Sequence, residues 1–167
     1  HTIGLYSLMG RGFNNPVDLA FGSDDIIYVI NRVGPEVSAR LSYKRITICT
    51  RNQEYIGEFS TGGTEPGEIM WPTAIAVGRD GRVYVSDEAL NRISIFDPKG
   101  HFLDMWGTNG RKYGQLDRPA GIAFNSDGNL LVSDGLNHRI QIFTPDGRFL
   151  DAWGSHGDTN GKFNIPW

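Results

Sequence analysis

A 47-residue repeat leaves this chain few architectures to choose from. Slid back by 47 residues, Pro119 falls on Pro72, Asp127-Gly128 on Asp80-Gly81, and Asp134 on Asp87. Arg139-Ile140 likewise falls on Arg92-Ile93, and Trp153-Gly154 on Trp106-Gly107. A fixed period of this size marks a stack of supersecondary units, none of which can bury its apolar faces alone.

Each unit holds four short apolar runs closed by turn residues. The second reads Thr73 to Gly78, Val83 to Asp87, Arg92 to Asp97 and Phe102 to Gly107; the third reads Ala120 to Asn125, Leu130 to Asp134, Arg139 to Thr144 and Phe149 to Gly154. Asp80-Gly81 and Asp127-Gly128 supply the positive φ of tight hairpins. Asp97-Pro-Lys-Gly100 and Thr144-Pro-Asp-Gly147 set φ with proline and close with glycine. No segment keeps a helical period, so the chain reads as all-β. A first unit starts at Pro16, but Pro16 and Pro72 lie 56 residues apart, and the excess sits in Val33 to Lys44. The register returns at Arg45-Ile46. The expected division is one segment, 1–167, with blades at 16–60, 72–107 and 119–154. Gly4 to Gly10 resembles Arg148 to Gly154, which predicts the outer strand of a preceding blade at 4–10.

Four-stranded antiparallel sheets with apolar residues on both faces need neighbours on either side. In the second unit Ile75, Val77, Val83, Val85, Ile93, Ile95 and Phe96 serve the two faces. Radial stacking into a β-propeller meets that need. The small-and-apolar first strand suits the crowded inside of such a ring, and the fourth, ending in Trp-Gly, suits the rim.

The run Pro-x-Gly-Ile-Ala, Asp-Gly, Leu-Val-Ser-Asp, Asn137-His138-Arg139-Ile140 and Gly-x-Phe-Leu resembles the NHL repeat. Leu90-Asn91-Arg92-Ile93 is a weaker copy of its signature. The resemblance implies six blades in a closed ring, of which this chain encodes three. Either the chain is part of a longer propeller or two copies assemble into one ring; a homodimer, in which another copy of the chain completes the ring, is the expectation, because a half-ring leaves apolar blade faces exposed.

Composition narrows the partners. A formal net charge of −3 predicts no strong general attraction to nucleic acid or to an anionic membrane, and no apolar run is long enough to span a bilayer. The single cysteine, Cys49, excludes an internal disulfide and matches Phe96 and Phe143 in register, which predicts a core position.

Strand direction sorts the loops. The 1–2 and 3–4 turns share one face of the ring and are all minimal. The 2–3 loops and the connections between blades share the other, which carries Val33 to Lys44, Ser60 to Trp71, Thr108 to Arg118 and Ser155 to Ile165. That long-loop face is the expected binding surface, with Trp71, Arg92, Arg111, Tyr113, Arg118, His138 and Arg139 as candidate contacts. The repeated Asp87, Asn91, Arg92 and Asp134, Asn137, Arg139 also read as a structural signature, since a residue present in every blade serves the blade.

Neither a catalytic set, a cofactor nor a metal site is expected: the four histidines are scattered, and no pair has metal-ligand spacing. The expected function is therefore a non-catalytic scaffold recognising a protein or peptide on the long-loop face. Two alternatives come from the resemblance. Some NHL propellers bind single-stranded RNA on a basic, aromatic face, for which Arg111, Lys112, Tyr113, Arg118 and Trp71 would serve, against Glu65, Glu68, Asp117 and Asp158 in the same loops. The lyase branch of the superfamily resembles a metal-dependent enzyme that relies on several histidines with a tyrosine and an arginine.

Overall fold

A computed structural model describes residues 5–6, 12–32, 44–52 and 54–167. Three four-stranded antiparallel sheets follow one another along the chain. The first comprises β3 (Pro16–Phe21), β4 (Ile26–Asn31), β5 (Arg45–Thr50) and β6 (Tyr55–Phe59). The second comprises β7 (Pro72–Val77), β8 (Val83–Asp87), β9 (Arg92–Phe96) and β10 (Phe102–Trp106). The third comprises β11 (Pro119–Phe124), β12 (Leu130–Asp134), β13 (Arg139–Phe143) and β14 (Phe149–Trp153). Within each sheet the strands pair in sequence order, so each is a meander. The first strands lie against one another, β3 on β7 and β7 on β11, which makes them the inner strands. These sheets are propeller blades.

Two apolar cores form where blades meet. Tyr28, Ile30, Ile46 and Ile48 of the first blade bury against Ile75, Val83, Val85 and Phe96 of the second. Tyr84, Ile93 and Ile95 then bury against Leu130, Val132 and Phe143 of the third. Alternation along each strand sends one set forward and the other back. Cys49 is buried with Ile27 and Val29 on the back of the first blade, where burial raises its thiol pKa. It is a core residue, as its register predicts.

Neighbouring blades are also latched at the short-turn face. The ring of Phe59 fills the space that a side chain at Gly100 would need, and Trp106 does the same at Gly147. Both glycines have positive φ, +89° and +85°, so each turn needs glycine for its backbone and for its neighbour's ring. Trp106 adds a hydrogen bond from Nε1 to the Pro145 carbonyl at 3.3 Å, and Tyr28 donates to the Pro98 carbonyl at 2.8 Å. Trp153, the third member of the aromatic series, is 42 % exposed on an open blade face. At the other end Val17, Leu19 and Phe21 of β3 are exposed.

The amino-terminal segment differs from expectation. Leu5–Tyr6 (β1) pairs in parallel with Gly12–Phe13 (β2). The same parallel bridging joins Gly62 to Ile69, Asn109 to Leu116 and His156 to Phe163 in the connections that follow the blades. Leu5 and Tyr6 thus sit in a connection rather than in an antiparallel outer strand; the rest of 4–10 lies outside the described residues. Of the insertion Val33 to Lys44, only Lys44 is described.

Candidate functional site

The repeated aspartates and arginines clamp the connections between blades. Arg139 donates from Nε to Asp134 Oδ2 at 2.7 Å, from Nη1 to the Arg111 carbonyl at 3.0 Å, and from Nη2 to the carbonyls of Lys112 and Gln115 at 2.8 and 2.9 Å. Asp134 also accepts from the Asp117 N–H at 2.6 Å and from the side chains of Asn137 and Gln141 at 2.8 and 2.9 Å. One blade earlier, Arg92 donates to the carbonyls of Thr64, Glu65 and Glu68, and Asp87 accepts from the N–H groups of Met70 and Trp71. All four side chains belong to buried residues. Most of their donors and acceptors go to loop backbone, as buried polar groups require; Arg92 Nε alone of the four side chains' nitrogens is buried without a partner.

Asn91 and His138 perform a further task. Each has left-handed φ, +53° and +54°, and each accepts an N–H from the residue before the next proline. Asn91 Oδ1 accepts from Arg118 at 2.8 Å, and His138 Nδ1 from Ile165 at 3.0 Å. With Nδ1 as the acceptor, the neutral imidazole of His138 keeps its proton on Nε2.

This scaffold holds open a polar cavity of about 540 Å³ on the long-loop face of the third blade. Of the seven candidate contacts it brings together Arg111, Tyr113, His138 and Arg139, and it adds Lys112, Asn137, Ser155 and His156. Tyr113 stacks on Phe149 with ring centroids 5.4 Å apart, and the Arg139 guanidinium lies 5.3 Å from its ring centre. Arg118 is elsewhere: it pairs with Glu88 beside a smaller cavity of about 100 Å³. Arg92 is spent on its own loop, and Trp71 sits at the junction of the first two blades between Arg32 and Lys44.

The structure revises the view of the histidines as scattered. His138 and His156, 18 positions apart, meet edge to face with ring centroids 4.5 Å apart. The loop after β14 folds back through the His156–Phe163 bridge and carries His156 over the start of β13. The 47-residue register holds this signal, because it places His156 on Asn109 in a connection already seen to bridge. The pair does not make a metal site: among the described residues, no three His, Cys, Asp or Glu side chains come together to hold a cation. The donor set does not fit the metal implied by the lyase branch.

Residues 116–143, most of the third blade, match the model of the NHL repeat. The chain carries an NHL repeat in a β-propeller fold. No curated protein matches it in sequence. Among solved structures, virginiamycin B lyase from Staphylococcus aureus is similar over 90 % of this chain and 43 % of its own, at 16 % identity and TM-score 0.59. A streptogramin B lyase is similar over 91 % and 41 %, at 18 % identity and TM-score 0.59. The hydrazine synthase of Kuenenia stuttgartiensis is similar over 95 % and 40 %, at 18 % identity and TM-score 0.60. The chain therefore spans less than half the length of each. A catalytically inactive histidine-to-alanine variant of the S. aureus lyase, solved with quinupristin, is similar over 89 % of this chain and 43 % of its own, at 15 % identity and TM-score 0.61.

These neighbours correct the functional expectation. A non-catalytic protein- or peptide-recognition scaffold, with RNA binding beside it, was the reading of the loops. The propellers similar in fold are enzymes, and an NHL repeat speaks for the blade rather than for a binding role. The basic and aromatic side chains that suggested a recognition surface are largely committed: Arg92 and Arg139 to loop carbonyls, Tyr113 to Phe149.

Proposed function

We propose that this chain forms part of a propeller enzyme that cleaves its substrate by elimination, with the reacting groups at His138 and His156. The observation that supports the reading is the contact of the two imidazoles in the cavity beside Lys112 and Arg139. An elimination needs a base to take a proton from carbon and an acid to protonate the departing group. His156, whose ring has no hydrogen bond among the described residues, is the base. The electron pair of the broken C–H bond becomes the new double bond as the bond to the leaving group breaks. His138 gives its Nε2 proton to that group, Ile165 N–H steadies the ring left behind, and the proton taken up by His156 passes back to His138 Nε2 across the contact of the two rings. The fitting substrate carries an acidic C–H beside a carbonyl and a leaving group on the next carbon.

The reading includes a closed ring of six blades made with a second copy of the chain. The exposed apolar stripe Val17, Leu19 and Phe21 at one end, and Trp153 at the other, favour a covering partner.

The test uses quinupristin, the ligand solved with the S. aureus lyase, in ¹⁸O-labelled water. Elimination gives product without label, and His156→Ala lowers the rate by about a hundredfold or more. His138→Asn keeps the cap, as Asn91 does, and removes the acid, so it loses rate at unchanged stability. Labelled product, no product from quinupristin, or a parental rate in both His156→Ala and His138→Asn refutes the assignment.

A further inference from the structure

The junction of the first and second blades departs from the pattern of the later ones. In the 47-residue register Lys44 stands where Asn91 and His138 stand. Those two accept the N–H of the pre-proline residue; an ammonium has no lone pair to offer. Lys44 instead donates from Nζ to the Met70 carbonyl. The N–H of Trp71, the pre-proline residue here, turns to Asp87 Oδ1 at 3.0 Å. Arg118 and Ile165 have left-handed φ of +55° and +50°, and Trp71 does not. The indole of Trp71 thereby meets two cations, with the Arg32 guanidinium 4.6 Å and the Lys44 ammonium 5.2 Å from its ring centre.

Among the described residues neither Arg32 nor Lys44 has an ion-pair partner. The field of Asp87 reaches Lys44, but its oxygens already take the N–H groups of Met70, Trp71, Ala89 and Leu90. Lys44 is only 2 % exposed, and Arg32 Nη1 is buried without a hydrogen-bond partner. Burial lowers the pKa of the Lys44 amine; Asp87 opposes the shift and Arg32 adds to it. A buried cation without compensation is strongly unfavourable, and a second cation beside it adds repulsion.

We propose that this junction is an oxyanion site, in which a carboxylate or phosphate group of a small ligand bridges Arg32 and Lys44 beside the indole of Trp71. The guanidinium presents a planar fork matched to two oxygens, and the ammonium supplies a point charge. The indole lends a flat apolar wall. The site lies on the long-loop face, apart from the histidine cavity, and stands whether or not that cavity is catalytic.

The experiment titrates the protein with sodium phosphate and, separately, with sodium acetate at constant ionic strength, following indole fluorescence and Tm. At least one anion gives a saturable change in both; which one tells phosphate from carboxylate recognition. Arg32→Gln weakens that anion about tenfold, the loss of one charge-assisted contact. Trp71→Phe loses the fluorescence response and keeps the rise in Tm. Lys44→Met stays folded, because an apolar chain replaces an unpaired buried cation, and loses the response. Absence of a saturable change with either anion overturns the site, as does wild-type affinity in both Arg32→Gln and Lys44→Met.

Discussion

Replacing Arg139 with alanine separates a residue that holds the blade from one that merely lines a cavity. The guanidinium makes four hydrogen bonds, one to the carboxylate of Asp134 and three to carbonyls of the connection before its own blade. Asp134 is fully buried. Its remaining partners are one backbone N–H and two side-chain amides, none of which neutralises its charge. Removing one member of a buried ion pair costs about 3–5 kcal/mol. For a chain of this size that lowers Tm by roughly 6–20 °C, at about 2–4 °C per kcal/mol. Lysine at the same position restores the charge but reaches only part of the fork, so Arg139→Lys falls between. Urea unfolding followed by circular dichroism gives the stabilities. Asp134→Asn alone and combined with Arg139→Ala completes a double-mutant cycle, with a coupling of about 1–3 kcal/mol expected. If Arg139→Ala unfolds within about 0.5 kcal/mol of the parent, as a surface substitution would, the clamp is wrong. Strict additivity with Asp134→Asn refutes the pair.

Two shorter predictions follow from the blade junctions. Gly147→Ala destabilises by about 2–4 kcal/mol, since it combines a disfavoured φ with the displacement of the Trp106 ring from its seat; a Tm within about 2 °C of the parent counts against the latch. The closed six-bladed ring predicts a solution mass twice the 18.5 kDa of the chain, read by light scattering, and a stable monomer across the micromolar range refutes it.

Much of the fold was legible because the repeat carries its own punctuation. Asp80-Gly81, Asp127-Gly128 and the two Pro-x-Gly turns fix where strands end, and the spacing of apolar residues fixes which faces are buried. The front of the chain was harder. Gly4 to Gly10 looks like a fourth strand in composition, yet pairing depends on what lies opposite, and Leu5–Tyr6 finds a parallel partner only seven residues on. The candidate site was half legible. The register exposed the long-loop face and the signature arginines, but not that those arginines would be consumed by carbonyls. The meeting of His138 and His156 follows from a loop folding back on itself, which the register marks only by placing His156 on Asn109. Trp71 stood out as a candidate contact of the long-loop face; Arg32 and Lys44 did not, because their importance lies in what they lack.

The latch of an aromatic ring on a turn glycine gives the stack a polarity. The first two blades offer a ring forward and the second and third receive one from behind, so two third blades cannot meet face to face: both would bring a Trp153 and neither a free glycine. In the proposed ring, contacts between copies run head to tail, and heterologous contacts of that kind either close into a ring or run on into a filament. In the 47-residue register Gln53 of the first blade stands where Gly100 and Gly147 stand, so a seam closed on Trp153 would lack the glycine that seats the ring at the internal junctions. Dilution or mild denaturant would part a ring there first and leave each set of three blades intact.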